Sequence, residues 1–316
     1  MSTAISVLSR RSLAFSAADA SRFAALRSAR CILQYALVAR LATRAPETCG
    51  LIRPYSTSYL CDRTLNVYPY WLEIGTFRLP TFGPMVVLGF LAAHYFIKRE
   101  LDRRGIDPEL ATSLITAGIL GGLAGAKLYF VLFELPDYVT WGQTLRSLFS
   151  GSGLTWHGGF IVAALSVMWT IRRHGAALAP TADASGIGLA IGYAIGRIGC
   201  QLAGDGDYGV PTDLPWGMAY PDGVVPTTQI VHPAPVYETL LGLAIFALLW
   251  SSRRFLAERR AGLLFCLYLV LAGAARFGVE TIRLNPEVIF GLTGAQLFSI
   301  GMIATGVGII VRLLNS

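Results

Sequence analysis

From Phe82 to the C-terminus, long apolar runs alternate with short polar connections. Seven runs are visible: Phe82 to Ile97, Leu110 to Phe133, Leu154 to Ile171, Ala182 to Ala203, Ala234 to Trp250, Gly262 to Phe277 and Leu292 to Val311. Each is close to the length an α-helix rising ~1.5 Å per residue needs to cross a ~30 Å hydrocarbon core. The pattern predicts an all-α, polytopic integral membrane protein with about seven transmembrane helices. Within the runs, Gly188, Gly192 and Gly196 recur every four positions, as do Gly121 and Gly125. Such spacing lets neighbouring backbones approach closely, and packing accounts for most of these glycines.

Composition supports the same class. Apolar residues make up 54% of the chain and charged residues 14%, and the mean hydropathy is +0.55, a balance that leaves too little polar surface for a soluble fold. The formal charge of +7 lies in short clusters between apolar runs, where loop charges of a membrane protein lie, so nucleic-acid binding drops out. The five cysteines, Cys31, Cys49, Cys61, Cys200 and Cys266, have no metal-ligand spacing.

Orientation follows from the connections, because Lys and Arg are retained on the cytoplasmic side. KRELDRRG after the first run, IRRHG after the third, SSRRFLAERR after the fifth and Arg312 near the end are basic; the alternate connections carry little positive charge. The N-terminus of the bundle is expected outside and the C-terminus inside. Residues 1–66, with nine Arg, no Lys and three acids, break this pattern. A start assigned too far upstream, a cleaved targeting segment and a disordered tail all fit; VYPYWLEIG from Val67 favours the first. The membrane domain is expected over residues 67–316.

Ionisable groups inside apolar runs are costly, and they usually face a polar cavity or a partner. Arg197 lies 15 residues into its run and Arg276 14 residues into its own, about 22 and 21 Å from the inner side at ~1.5 Å per residue. Glu280 is one turn further out. Lys127 also reaches the outer third, where snorkelling alone explains it, and His157 enters its run from the outer side. Arg197, Arg276, Glu280 and His157 are therefore expected to share an outer-leaflet cavity. A guanidinium fork, charged at any relevant pH, suits a phosphodiester there.

Four blocks in order, GLTWHGGF (153–160), GRIGCQLAGDGDYG (196–209), HPAPVYE (232–238) and ARFGVETIR (275–283), resemble the signature of the prolipoprotein diacylglyceryl transferases. TFGPMVVLGF and GGLAGAKLYFVLFE extend the resemblance to most of the chain from Tyr68. It implies a multi-pass enzyme of the bacterial cytoplasmic membrane, active toward the periplasmic face. Such an enzyme moves diacylglyceryl from phosphatidylglycerol to the lipobox cysteine of a prolipoprotein signal peptide, without metal or cofactor. The resemblance assigns His157 as the HGG histidine, Arg197 as the signature arginine, Gly209 as the closing glycine and Arg276 as the sixth-span arginine. Arg283, His232, Tyr237, Glu238 and Lys127 join them at the phosphatidylglycerol site. As chemistry, His157 is a candidate base for the thiol, or an ordinary interfacial histidine. Arg197 and Arg276 would stabilise charge growing on phosphate, and Glu280 would orient Arg276 as an i, i+4 pair.

The signature departs from the family pattern at Cys200, where Asn is usual, and in AGDGDYG, which carries an extra residue before Gly209. Cys200 reads as a packed small residue. Asp205 and Asp207 either replace the carboxylate of that region or are solvated loop acids. Phe82 and Lys127 stand where Tyr and Arg are frequent. A non-catalytic lipid-binding relative and a transporter are the alternatives; a transporter should show inverted repeats or broken half-helices, and the sequence shows neither.

Overall fold

The computed structural model describes residues 67–74, 77–134 and 155–315. The expectations for residues 1–66, and for the start of the third run at Leu154, lie outside them. Apart from residues 73–77, the described residues form one compact unit.

Seven long helices stand where the seven apolar runs predict them. They are α1 (Phe82–Arg103), α2 (Leu110–Tyr129), α3 (Trp156–Arg173), α4 (Leu178–Ala203), α5 (Ala234–Arg259), α6 (Leu263–Glu280) and α7 (Gly294–Asn315). A π-helical turn, Phe130–Glu134, continues α2. Among the described residues five helices, α2, α4, α5, α6 and α7, are long and apolar enough to cross a membrane. The ends of α1 and α3 are polar: KREL and DR close α1, and Arg172 and Arg173 close α3. Several helices outrun their apolar runs. Helix α5 continues nine residues past Trp250, and α4 starts four residues before Ala182, because a helix propagates through polar residues once its apolar stretch is packed.

Six short strands decorate the connections: β1 (Tyr70–Ile74) and β2 (Phe77–Pro80) before α1, β3 (Met218–Tyr220) and β4 (Thr227–Val231) between α4 and α5, and β5 (Glu287–Ile289) and β6 (Leu292–Thr293) before α7. β3 pairs antiparallel with β4, and β5 with β6. Periodicity does not reveal strands this short.

Small residues set the helix contacts. A methyl group on Gly125 would run into the Gly158 carbonyl, and one on Gly158 into that of Gly125, so α2 and α3 meet backbone to backbone. One on Gly89 would lie 2.9 Å from the Gly192 carbonyl, joining α1 to α4 in the same way. Among the described residues nothing lies within 4 Å of a methyl position on Gly196, so the third member of that repeat makes no such close approach there. Ile97, Leu101, Leu110, Leu114, Ile171 and Ala184 form one core cluster; Ile187, Ala190, Leu249 and Leu264 form a second, faced by Phe96, Phe246 and Trp250.

At the basic end of the bundle the core closes on an ion network. Glu100 on α1 and Asp183 on α4 are 1% and 0% exposed. Glu100 pairs with Arg103 at 2.6 Å and Arg104 at 2.7 Å, and more distantly with Arg253 at 3.7 Å. Asp183 accepts from Arg104 Nη1 at 3.0 Å and from the backbone N–H groups of Gly262 and Phe265, both at 2.8 Å. The start of α6 is thus capped by an acid on another helix.

Candidate active site

At the opposite end the last turns of α4 and α6 and the first turn of α5 come together. Glu238 is the hub. It lies four residues into α5, 2% exposed, and its carboxylate gathers three arginines. Arg276 Nη1 on α6 donates to Oε1 at 3.0 Å, Arg197 Nε on α4 approaches Oε2 at 3.1 Å, and Arg283 Nη1, just past α6, lies 3.6 Å from Oε2. Tyr193 OH donates to Oε1 at 2.7 Å. One turn before Arg197, the Tyr193 ring also lies 5.2 Å from that guanidinium. Glu280 pairs with Arg276 at 2.7 Å, the expected i, i+4 contact, and accepts from Thr293 Oγ1 at 2.8 Å and Asn285 Nδ2 at 2.7 Å. Glu280 is thus held from three directions.

Asp207 completes the cluster from the loop after α4. One carboxylate oxygen accepts from Arg197 Nη1, the other from Arg283 Nη2 at 2.5 Å, and its backbone carbonyl accepts from Arg283 Nη1 at 3.2 Å. Burial works against its charge, but the guanidinium groups of Arg197 and Arg283 outweigh that and hold Asp207 below the usual carboxylate range. It is an ion-pair partner rather than a solvated loop acid. Asp205 behaves oppositely. Burial, with the neighbouring Asp207 charge adding to it against a hydrogen bond from Cys200, raises its pKa above the ordinary value. Its Oδ1 accepts the Asp207 backbone N–H at 3.3 Å. Cys200 is buried, 3.7 Å from Arg197 Nη1, in keeping with a packed small residue.

The loop that carries Asp207 is held by backbone contacts. Gly209 N–H donates to His232 O at 2.8 Å and Val210 N–H to Ile282 O at 2.8 Å. A methyl group on Gly209 would lie 2.5 Å from Ile282 O and 3.0 Å from His232 Cβ, so glycine is needed where the loop passes between β4 and the segment after α6. Tyr208 stacks on Tyr220 at 5.1 Å, and burial pushes the Tyr220 hydroxyl up to about 12. His232 Nδ1 lies 3.2 Å from Tyr237 OH, which accepts from Trp216 Nε1 at 2.8 Å. His232 also meets the loop through its backbone carbonyl, which accepts from Gly209 N–H.

His157 is exposed at the start of α3. Its ring centroid is 6.2 Å from that of Tyr129, and among the described residues no hydrogen bond or ion pair joins it to Arg197 or Arg276. The link runs through α7: Trp156 packs edge-on against Phe298 at 4.8 Å, five residues beyond the Thr293 that holds Glu280. Lys127 is 8% exposed near the end of α2; a buried lysine has a partner, so snorkelling does not describe it. Of the groups expected to share a cavity, Arg197, Arg276 and Glu280 thus form, among the described residues, a cluster with Arg283, Glu238 and Asp207, in which His157 has no hydrogen bond or ion pair. Tyr193 escaped the sequence reading, although its position four residues before Arg197 was a usable signal.

Three arginines interlocked with three acids at one end of a membrane helix bundle define the arrangement against which relatives can be compared. Residues 69–312 match the sequence profile described as "Prolipoprotein diacylglyceryl transferase". The chain belongs to that family. It is 34% identical over 234 residues to a Leptospira interrogans protein named phosphatidylglycerol–prolipoprotein diacylglyceryl transferase, covering 66% of this chain and 72% of the relative. A relative with the same name from Thermotoga maritima is 32% identical over 244 residues, 75% of this chain and 82% of its own. A third, from Solidesulfovibrio magneticus, is 33% identical over 259 residues, 77% and 94% respectively. Family membership makes the chain a polytopic membrane transferase.

Proposed function

We propose that the chain transfers the diacylglyceryl group of phosphatidylglycerol to the lipobox cysteine of prolipoproteins, at the non-cytoplasmic face of a bacterial cytoplasmic membrane. In this reading the seven helices all span, with the start of α1 outside and the end of α7 inside. The observation that carries it is the guanidinium cluster at the end remote from the basic connections.

The cysteine thiolate attacks the glycerol carbon bearing the phosphate ester; a C–S bond forms as the C–O bond breaks, and glycerol phosphate leaves with the electron pair. Negative charge grows on the departing phosphate, so fixed guanidinium groups favour the transition state over the ground state. Arg197 and Arg276 serve this role, with Arg283 behind them. Glu238, Glu280 and Tyr193 hold the three forks in place, which spares reorganisation during the reaction. His157, exposed at the start of α3, takes the thiol proton and meets the acceptor while the arginines meet the donor.

His157→Gln tests the division of labour. Transfer to a reporter lipoprotein, scored as thioether-linked lipid, should fall about 100-fold, within the range of a lost general base, while phosphatidylglycerol binding persists. Undiminished transfer removes His157 from the mechanism.

A further inference from the structure

Building on that function, we propose that Asp207 occupies the place on Arg197 and Arg283 that the donor phosphodiester takes, so that lipid binding exchanges one anion for another. The charge count motivates it. Arg197, Arg276 and Arg283 face Asp207, Glu238 and Glu280: three positive against three negative. A phosphodiester added to a balanced, largely desolvated cluster brings an uncompensated charge, which is costly. Exchange for a carboxylate keeps the balance.

Only one of the three acids is free to leave. Glu238 is held by α4, α6 and Tyr193, and Glu280 by Thr293 and Asn285 besides Arg276; their side chains are 2% and 0% exposed, that of Asp207 31%. Asp207 also rides on a loop whose neighbours Gly204 and Gly206 have φ of 59° and 91°, backbone freedom a side chain would curtail. Its two oxygens each meet a different guanidinium, as the two non-bridging oxygens of a phosphodiester would.

The arginines do not need the Asp207 carboxylate to stay aligned. The Asp207 backbone carbonyl still accepts from Arg283 Nη1, and Glu238 still pairs with Arg197 Nε. Rotation of one side chain therefore exposes two oriented N–H donors, Arg197 Nη1 and Arg283 Nη2.

The test is binding of phosphatidylglycerol in phosphatidylcholine nanodiscs to the full chain. Asp207→Asn should bind about tenfold more tightly, equal to about 1.4 kcal/mol, with a lower KM and no rise in kcat. Asp207→Glu, which restores the competing charge, should return affinity toward that of the unaltered chain. Unchanged or weaker binding by Asp207→Asn overturns the exchange. A second measurement needs no substitution: carbodiimide labelling of the Asp207 carboxyl, read by mass spectrometry, should rise when phosphatidylglycerol is added and stay level with phosphatidylcholine. Labelling that falls or does not move with phosphatidylglycerol also overturns it. Should the unaltered chain transfer no diacylglyceryl group, the proposed function fails, while binding and labelling still decide the exchange.

Discussion

Replacing Glu238 by glutamine keeps the shape of the hub and removes its charge. The carboxylate is 2% exposed and takes contacts from Tyr193 at 2.7 Å, Arg276 at 3.0 Å, Arg197 at 3.1 Å and Arg283 at 3.6 Å. Glutamine offers one acceptor oxygen and turns an NH2 donor toward guanidinium donors, so the cluster gains an unbalanced positive charge. Removing one partner of a buried ion pair costs ~3–5 kcal/mol. The arginine side chains keep 9–23% exposure, and water screens part of that cost, which puts the expected loss near the lower end, about 3 kcal/mol. For a chain of this size each kcal/mol moves Tm by ~2–4 °C, so the midpoint should fall about 6–12 °C. The assay is tryptophan-detected unfolding in detergent at one heating rate, beside a transfer assay on the same preparation. Transfer should drop about 100-fold, since misplacing a fixed catalytic group by ~1 Å costs that much. A midpoint within about 2 °C of the unaltered chain together with near-normal transfer would refute the hub.

Asp183→Ala deletes the carboxylate that joins Arg104 to the first N–H groups of α6; unfolding should become easier by ~3–5 kcal/mol, measured by thermal or denaturant unfolding, with Asp183→Asn milder because one cap oxygen survives. Asp205→Asn should do the reverse at neutral pH. The folded-state pKa of Asp205 is raised, so its ionised form burdens the fold above that pKa, and the burden fades as pH falls through it toward the unfolded value near ~3.9. The variant should therefore unfold at an equal or higher temperature at pH 7, an advantage that disappears in acid; a lower Tm at pH 7 would contradict the assignment.

Much of this was legible before any coordinates. Apolar runs located all seven helices because each buries or presents to lipid a whole cylinder of side chains, and depth counting brought Arg197, Arg276 and Glu280 to one level. What counting cannot supply is azimuth. Whether Glu238, in the first turn of α5, points to water or to three arginines depends on how α4, α5 and α6 are rotated, and nothing in a one-dimensional pattern records that. Depth likewise says nothing of which neighbours the His157 ring meets, and the rings it meets are those of Tyr129 and Trp156. Asp207 needed the loop path, which Gly209 and its backbone partners set through contacts with residues 232 and 282. The Glu100 and Asp183 network left no mark in the pattern, because Glu100 sits within a basic connection and Asp183 at the very start of the fourth run.

Two ion clusters, one around Glu100 and Asp183 and one around Glu238, staple α4, α5 and α6 at opposite ends. A seam fastened twice does not breathe easily, since parting it strands charge in hydrocarbon at both fastenings. The α2 and α3 hairpin meets itself through glycine backbones, and its outer turn leans on α7 through the Trp156, Phe160 and Phe298 rings. At its other end the Lys98–Glu109 pair and the His94–Thr112 contact tie the hairpin to α1. The turn that carries His157 is thus seated on α7 by apolar ring packing, and the far end of the same hairpin is held to α1 by charge.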